Sequence, residues 1–324
     1  MRVMVNLQLE QDPVVADRLT DGQLARVRAV SEEVEIVVAE TPEQQATELP
    51  HTEVIFGEFN RGMFELARSL RWVQALAAGV DHILFDELVK SDIVLTSAKG
   101  AVGGHLADHA WALLLGVARG IGRAVREHSW DSRYSIRRQS LEMENTTMGI
   151  IGLGGTGVEV ARRAQGFGMG VIAVDPEEVS KPTFVEEVWT IDRFYDLLEG
   201  SDVVVICAPL TKETQGMFDE EAFRHMRRHA LLINVTRGDI VDGPSLIKAL
   251  EEGTIGGAGL DVTPEEPLPP DSPLWSMSNV IITPHTAGGS PHRLDRTVDL
   301  FCENLRRYLA GKPLLGVIDK EKGY

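Results

Sequence analysis

Between Thr147 and Asp175 the chain reads strand, glycine turn, helix, strand and acid, in that order. Apolar Met148 to Ile151 runs into Gly152-Leu153-Gly154-Gly155-Thr156-Gly157, and Val158 to Phe167 continues with helical spacing. The three glycines of this G-x-G-x-x-G pattern have separate tasks. Gly152 permits a tight turn, Gly154 lets backbone approach a pyrophosphate, and Gly157 lets the helix pack closely on the strand. The helix start that follows offers unpaired N–H groups and the positive end of its dipole. A second strand, Val171 to Val174, delivers Asp175 eighteen residues after Gly157. A carboxylate there accepts hydrogen bonds from both ribose hydroxyls and repels a 2′-phosphate. The stretch therefore reads as a site for NAD, and it requires a parallel α/β sheet around it.

The rest of the chain supplies that sheet and a second one. Up to about residue 100, short strands (Arg2 to Asn6, Val34 to Val38, Val54 to Phe56, Trp72 to Ala75, Ile93 to Leu95) alternate with helices (Asp21 to Val30, Pro42 to Glu48, Arg61 to Ser69). Such alternation predicts a parallel sheet covered on both faces, and no glycine fingerprint occurs in it. Gly100 to Gly104 forms a flexible junction before a long helix expected over His105 to Glu127, and a loop rich in Arg and aromatic residues follows over Trp130 to Gln139. After Asp175, strands at Asp202 to Cys207, Ala230 to Val235, Gly257 to Leu260 and Val280 to Thr283 complete a doubly wound unit, with helices around Leu197, Asp219 to Met226 and Ser245 to Glu252 between them. Pro291 suits the first turn of a final helix ending near Leu309.

A length of 324 residues allows two domains. The net charge of −17 disfavours nucleic acid and anionic membranes as partners. An anionic substrate must then be drawn in by local positive groups. Cys207 and Cys302 are the only cysteines, so neither a disulfide framework nor a metal-ligand spacing is expected. The N-terminal segment reads as a strand rather than a signal peptide, which makes the cytoplasm the expected compartment.

Three strand ends in the second half carry groups suited to chemistry. In an open α/β sheet the carboxyl ends of the strands face the ligand crevice. Arg237, in Asn234-Val235-Thr236-Arg237-Gly238, is placed to clamp a carboxylate through two hydrogen bonds, which Lys does not match. Asp261 follows the Gly257 to Leu260 strand and is placed to face a nicotinamide, and Glu266 sits beyond it in a loop stiffened by proline. His285 follows the next strand as a proton donor that works near neutral pH. A carboxylate beside it would orient the ring and stabilise its charged form. His105 and His109 lie on the long helix, and His225 and His229 in or after a surface helix, where structural or solvated roles are the expectation.

The sequence resembles the D-isomer-specific 2-hydroxyacid dehydrogenase family over nearly its whole length. The likeness rests on Ala77-Ala78-Gly79-Val80-Asp81-His82, Leu106-Ala107-Asp108-His109, the glycine fingerprint, Ala208-Pro209-Leu210-Thr211, Asn234-Val235-Thr236-Arg237-Gly238, Gly259-Leu260-Asp261-Val262, Glu266-Pro267-Leu268 and Thr283-Pro284-His285. The resemblance implies that Arg237 binds the substrate carboxylate and keto oxygen, that His285 is the acid/base and that Glu266 is its partner. It also implies a backbone clamp on the carboxylate from Gly79 and Val80, with Ser97 and Lys99 near the substrate. Cofactor contacts are implied for Gly152, Gly154, Gly155, Thr156, Gly157, Asp175, Cys207, Pro209, Thr214, Val235, Thr236 and Gly288, and for Asp261 on the carboxamide. Ser97 and Lys99 replace the Asn and Arg of many members, and Asp108 replaces the usual Glu.

The expected architecture is α/β, with two doubly wound parallel-sheet lobes. A Rossmann coenzyme domain (104–286) is inserted into a flavodoxin-like substrate domain (1–103 and 287–324). The expected reaction is hydride transfer between NAD(H) and C2 of a small 2-oxo or D-2-hydroxy acid, NADH serving for reduction, in a homodimer joined through the coenzyme domain. Two alternatives use the same fold: an NAD-sensing binding protein resembling a corepressor, and an oxidiser of another small anion such as phosphite.

Overall fold

The computed structural model describes residues 1–7 and 18–324. The chain divides into two compact units, Met1–Val102 with Ser290–Tyr324, and Gly103–Gly289.

The first unit is built on five parallel strands: β1 (Arg2–Asn6), β2 (Glu35–Val38), β3 (Val54–Gly57), β4 (Trp72–Gln74) and β5 (Val94–Thr96). Their spatial order is β2-β1-β3-β4-β5, the flavodoxin-like order. Side chains alternate between two apolar layers, as a strand period of two requires. Val3, Val5, Val54, Phe56 and Trp72 enter one layer, and Met4, Ile55 and Val73 enter the other. The helix Arg293–Leu309 covers the first layer, where Phe301 stacks on Phe56 with ring centroids 4.3 Å apart. Beyond it, Val317 makes an antiparallel bridge to Thr96 at the edge of β5.

Seven parallel strands form the second unit: β6 (Thr147–Ile151), β7 (Gly170–Val174), β8 (Glu187–Trp189), β9 (Val203–Ile206), β10 (Leu231–Asn234), β11 (Gly257–Leu260) and β12 (Val280–Ile282). They lie in the order β12-β11-β10-β9-β6-β7-β8, so the chain reverses its winding between β6 and β9. In such sheets ligands bind at that reversal, outside the carboxyl ends of the strands. Both faces are buried against helices, one core lying around Phe218, Leu197 and Leu246 and the other around Trp111, Leu114 and Ile150.

Three local expectations are corrected, and one strand was not expected. The single helix predicted over His105 to Glu127 is two, Gly103–Ala118 and Ile121–Glu127. Gly120 lies between them in the left-handed region at φ 64°, while the apolar spacing continues through the break and hides it. The expected loop at Trp130 to Gln139 contains the helix Arg133–Gln139. Strand β8 has no sequence signal, being three residues long with no fully buried side chain. Pro291 precedes the last helix instead of occupying its first turn. Among the described residues, no helix is long and apolar enough to cross a membrane.

Candidate active site

The glycine turn lies where β6 gives way to the helix Gly155–Gly166. Gly152 has φ +89°, and a Cβ there would lie 2.9 Å from the Ala208 backbone. A Cβ on Gly157 would lie 2.2 Å from the Gly152 carbonyl oxygen. Both positions are glycine because the protein itself leaves no room. Gly154 differs: a Cβ there meets no atom within 4 Å, although it occupies the N-cap of a helix that no side chain caps. This bare cradle at a helix N-terminus suits a diphosphate. Asp175 ends β7, and its two oxygens accept the N–H groups of Leu153 at 2.8 Å and Glu177 at 3.0 Å. A lone pair remains on each oxygen for a ribose.

Around the same sheet edge, Cys207 follows β9, and burial pushes its thiol pKa up to about 12, so it is no nucleophile at neutral pH. Pro209 accepts the Thr214 hydroxyl at its carbonyl, 2.7 Å away, which shapes the loop after Cys207. Val235 is buried, and the Thr236 N–H donates to the Asn234 side chain. Gly288 follows Ala287, beyond the His285 turn.

Strands β10, β11 and β12 end in register, Asn234 beside Leu260 and Leu260 beside Ile282. The three loops that leave them carry Arg237, Glu266 and His285. Asn234 folds the first loop by donating from Nδ2 to the Arg237 carbonyl at 2.8 Å. Gly238 then presses that loop onto the next, since a Cβ on it would lie 1.7 Å from the Thr263 carbonyl oxygen. In the second loop the Thr263 N–H fixes Glu266 through Oε1 at 3.0 Å. The other oxygen of Glu266 meets Nδ1 of His285 at 2.8 Å. With Nδ1 engaged by a carboxylate, Nε2 is the nitrogen left to exchange a proton. His285 is half exposed, with 51% of its side chain accessible. Glu266 and His285 are thus in direct contact, and Arg237 is brought beside the Glu266 loop through Gly238 and Thr263.

Asp261 is tied into the protein as well as standing at the end of a strand. Only 1% of its side chain is accessible. Its carboxylate is taken by the Thr283 hydroxyl (2.6 Å), the Thr286 N–H (2.8 Å) and the Ala287 N–H (2.9 Å). The three bonds fix the carboxylate in place, and Oδ2 keeps a further lone pair. His109, read as structural on a helix, places Nε2 at 2.8 Å from the Thr283 hydroxyl. Asp261 and Thr283 stand at two adjacent strand ends, and no spacing in the sequence joins them to His109. In the first unit, Gly79 and Val80 precede the short helix Asp81–Ile83, and Lys99 is exposed. Ser97 is fully buried and its hydroxyl accepts the Lys99 N–H, which shapes the backbone there.

Residues 111–287 match the family model described as "D-isomer specific 2-hydroxyacid dehydrogenase, NAD binding domain". The chain belongs to the D-isomer specific 2-hydroxyacid dehydrogenase family. It is accordingly a 2-hydroxyacid dehydrogenase, and its second unit holds the family's NAD-binding domain. The glyoxylate reductase of Korarchaeum cryptofilum is 40% identical over 266 residues, covering 80% of this chain and 79% of the relative. A D-isomer specific 2-hydroxyacid dehydrogenase from Xanthobacter autotrophicus Py2, solved with NADPH and MES, superposes with a TM-score of 0.82 at 28% identity, covering 99% of each chain. An NADPH-dependent glyoxylate/hydroxypyruvate reductase from Sinorhizobium meliloti does so at 0.80 and 26% identity, covering 100% of this chain and 99% of the other.

Proposed function

We propose that this dehydrogenase reduces a small 2-oxo acid, with glyoxylate and hydroxypyruvate as the first substrates to test, to the 2-hydroxy acid at the expense of NADH. The observation that carries the reading is the 2.8 Å contact between His285 Nδ1 and a Glu266 carboxylate that is itself anchored on Thr263. Bound nicotinamide supplies the hydride that reduces C2. His285 donates the proton from Nε2 to the carbonyl oxygen and keeps its Nδ1 hydrogen bond to Glu266 throughout. Glu266 holds the ring in that tautomer and stabilises the imidazolium before transfer. Arg237 binds the substrate carboxylate. Similarity to the glyoxylate reductases supports the small substrate.

NADH is preferred over NADPH in this reading because Asp175 ends β7, and Glu177 and Glu178 follow with no basic residue before Lys181. A 2′-phosphate would meet carboxylates where NADP sites place arginine. Replacing Asp175→Ala removes charge-assisted hydrogen bonds worth about 1.5–3 kcal/mol. The ratio of kcat/KM with NADH to that with NADPH should then fall by about tenfold or more. A wild type that already prefers NADPH would overturn the cofactor reading.

Exposed Ile121, Val125, Trp130 and Tyr134 on the second unit support a homodimer joined there. The double variant Val125→Glu, Trp130→Glu should sediment as a monomer under conditions where the wild type is a dimer. A monomeric wild type refutes this.

The overall test is NADH oxidation with a panel of 2-oxo acids: glyoxylate, hydroxypyruvate, pyruvate, and branched and aromatic members. Turnover of a small member supports the proposal. A protein that binds NADH yet turns over none of them is a binding protein, and oxidation of phosphite with NAD would point to the other small anion.

A further inference from the structure

The turn that carries His285 is held almost entirely by one residue. The N–H groups of His285, Thr286 and Ala287 all reach Asp261, at its carbonyl oxygen (2.8 Å), Oδ1 (2.8 Å) and Oδ2 (2.9 Å), and the first is shared with the Thr283 carbonyl at 3.0 Å. They hold a strained backbone, since His285 has φ 53°, in the left-handed region that costs a non-glycine residue about 1–3 kcal/mol. Asp261 is itself secured from the other side. The single hydroxyl proton of Thr283 goes to Oδ1 of Asp261 at 2.6 Å. Its oxygen can then only accept from His109 Nε2 at 2.8 Å, which fixes the proton of His109 on that nitrogen. The same Nε2 lies 3.2 Å from Oδ1 of Asp261.

His109 stands on a helix that cannot slide. A Cβ on Gly259 of β11 would lie 2.8 Å from Cβ of Leu113, and one on Gly116 would lie 2.8 Å from Cδ1 of Ile281 in β12. The helix Gly103–Ala118 is thus a fixed post against the two strands that carry Asp261 and Thr283.

We propose that His109 is a positioning residue: through Thr283 and Asp261 it clamps the turn that presents the His285 imidazole to Glu266. This rests on the acid–base role proposed for His285. His109 touches neither reacting group, so its removal should lower kcat and leave cofactor affinity alone.

The test compares His109→Leu, His109→Gln and Thr283→Val with wild type and with His285→Ala. Glutamine keeps a donor at a reach close to that of Nε2, and valine keeps the shape of threonine without its hydroxyl. For His109→Leu, kcat should fall about tenfold through loss of orientation, with the Kd for NADH unchanged within about twofold. In the protein without cofactor, the amides of residues 285–287 should exchange about tenfold faster, while those of β11 do not change. Thr283→Val should behave like His109→Leu, and His109→Gln should recover to within about threefold of wild type in both measurements.

Wild-type kcat and amide protection in His109→Leu would overturn the inference, as would a glutamine variant as impaired as the leucine one. If His109→Leu does not fold, Thr283→Val carries the same expectations and decides. Unchanged kcat in His285→Ala would sink the acid–base reading instead, and the exchange rates would still judge the clamp.

Discussion

Replacing His285 by alanine should lower kcat by about 10² or more, the usual scale of positioned acid–base catalysis, while leaving the affinity for NADH as it is. The separation follows from position. His285 is reached through the turn after β12 and contacts Glu266, whereas the glycine cradle and Asp175 lie at the ends of β6 and β7. Stopped-flow reduction of glyoxylate under single-turnover conditions, with a parallel NADH titration, reads both quantities. A variant with wild-type kcat would remove His285 from the mechanism, and one that no longer binds NADH would show that its loss had damaged the coenzyme site.

The second large effect is expected at a residue with no reactive group. Gly238 lets the Arg237 loop lie against the Glu266 loop, and a Cβ in Gly238→Ala would sit 1.7 Å from the Thr263 carbonyl oxygen. Backbone atoms cannot swing aside as a side chain tip can, so the loops must part by roughly 2 Å to reach ordinary contact. That movement separates Arg237 from the Thr263 N–H that anchors Glu266. Misplacement on this scale costs about 100-fold in rate, and the overpacking costs about 1–3 kcal/mol of stability. We therefore expect kcat/KM to fall by about two orders of magnitude in a protein that still folds at room temperature. Steady-state kinetics with a thermal melt check it. Activity within a few-fold of wild type would mean that the two loops are not held at a fixed spacing.

Much of this was legible in the chain because the informative residues act locally. The fingerprint from Gly152 to Gly157 and the acid at Asp175 are set by one strand, one turn and one helix, and strand ends announce Arg237, Glu266 and His285. What escaped was tertiary. His109 lies 174 residues from Thr283, and nothing on its own helix distinguishes it from a solvated histidine. Asp261 was read as a ligand contact from its place at a strand end. That its carboxylate also holds the next turn depends on the N–H groups of Thr286 and Ala287, which no spacing rule reveals. The bond from the Lys99 N–H to the Ser97 hydroxyl lay equally outside any such rule. The break at Gly120 was masked because apolar periodicity reports which face is buried and not whether the helix axis is continuous.

The vacant space beside Gly154, set against the crowding at Gly157, divides one short motif between two judges. A side chain added at the last glycine is penalised as soon as the polypeptide tries to collapse, whatever small molecules surround it. One added at the middle glycine should leave the stability of the apoprotein unchanged, and titration with dinucleotide is where its loss should show. Folding screens alone would therefore pass a population of well-behaved, coenzyme-blind proteins from this sequence.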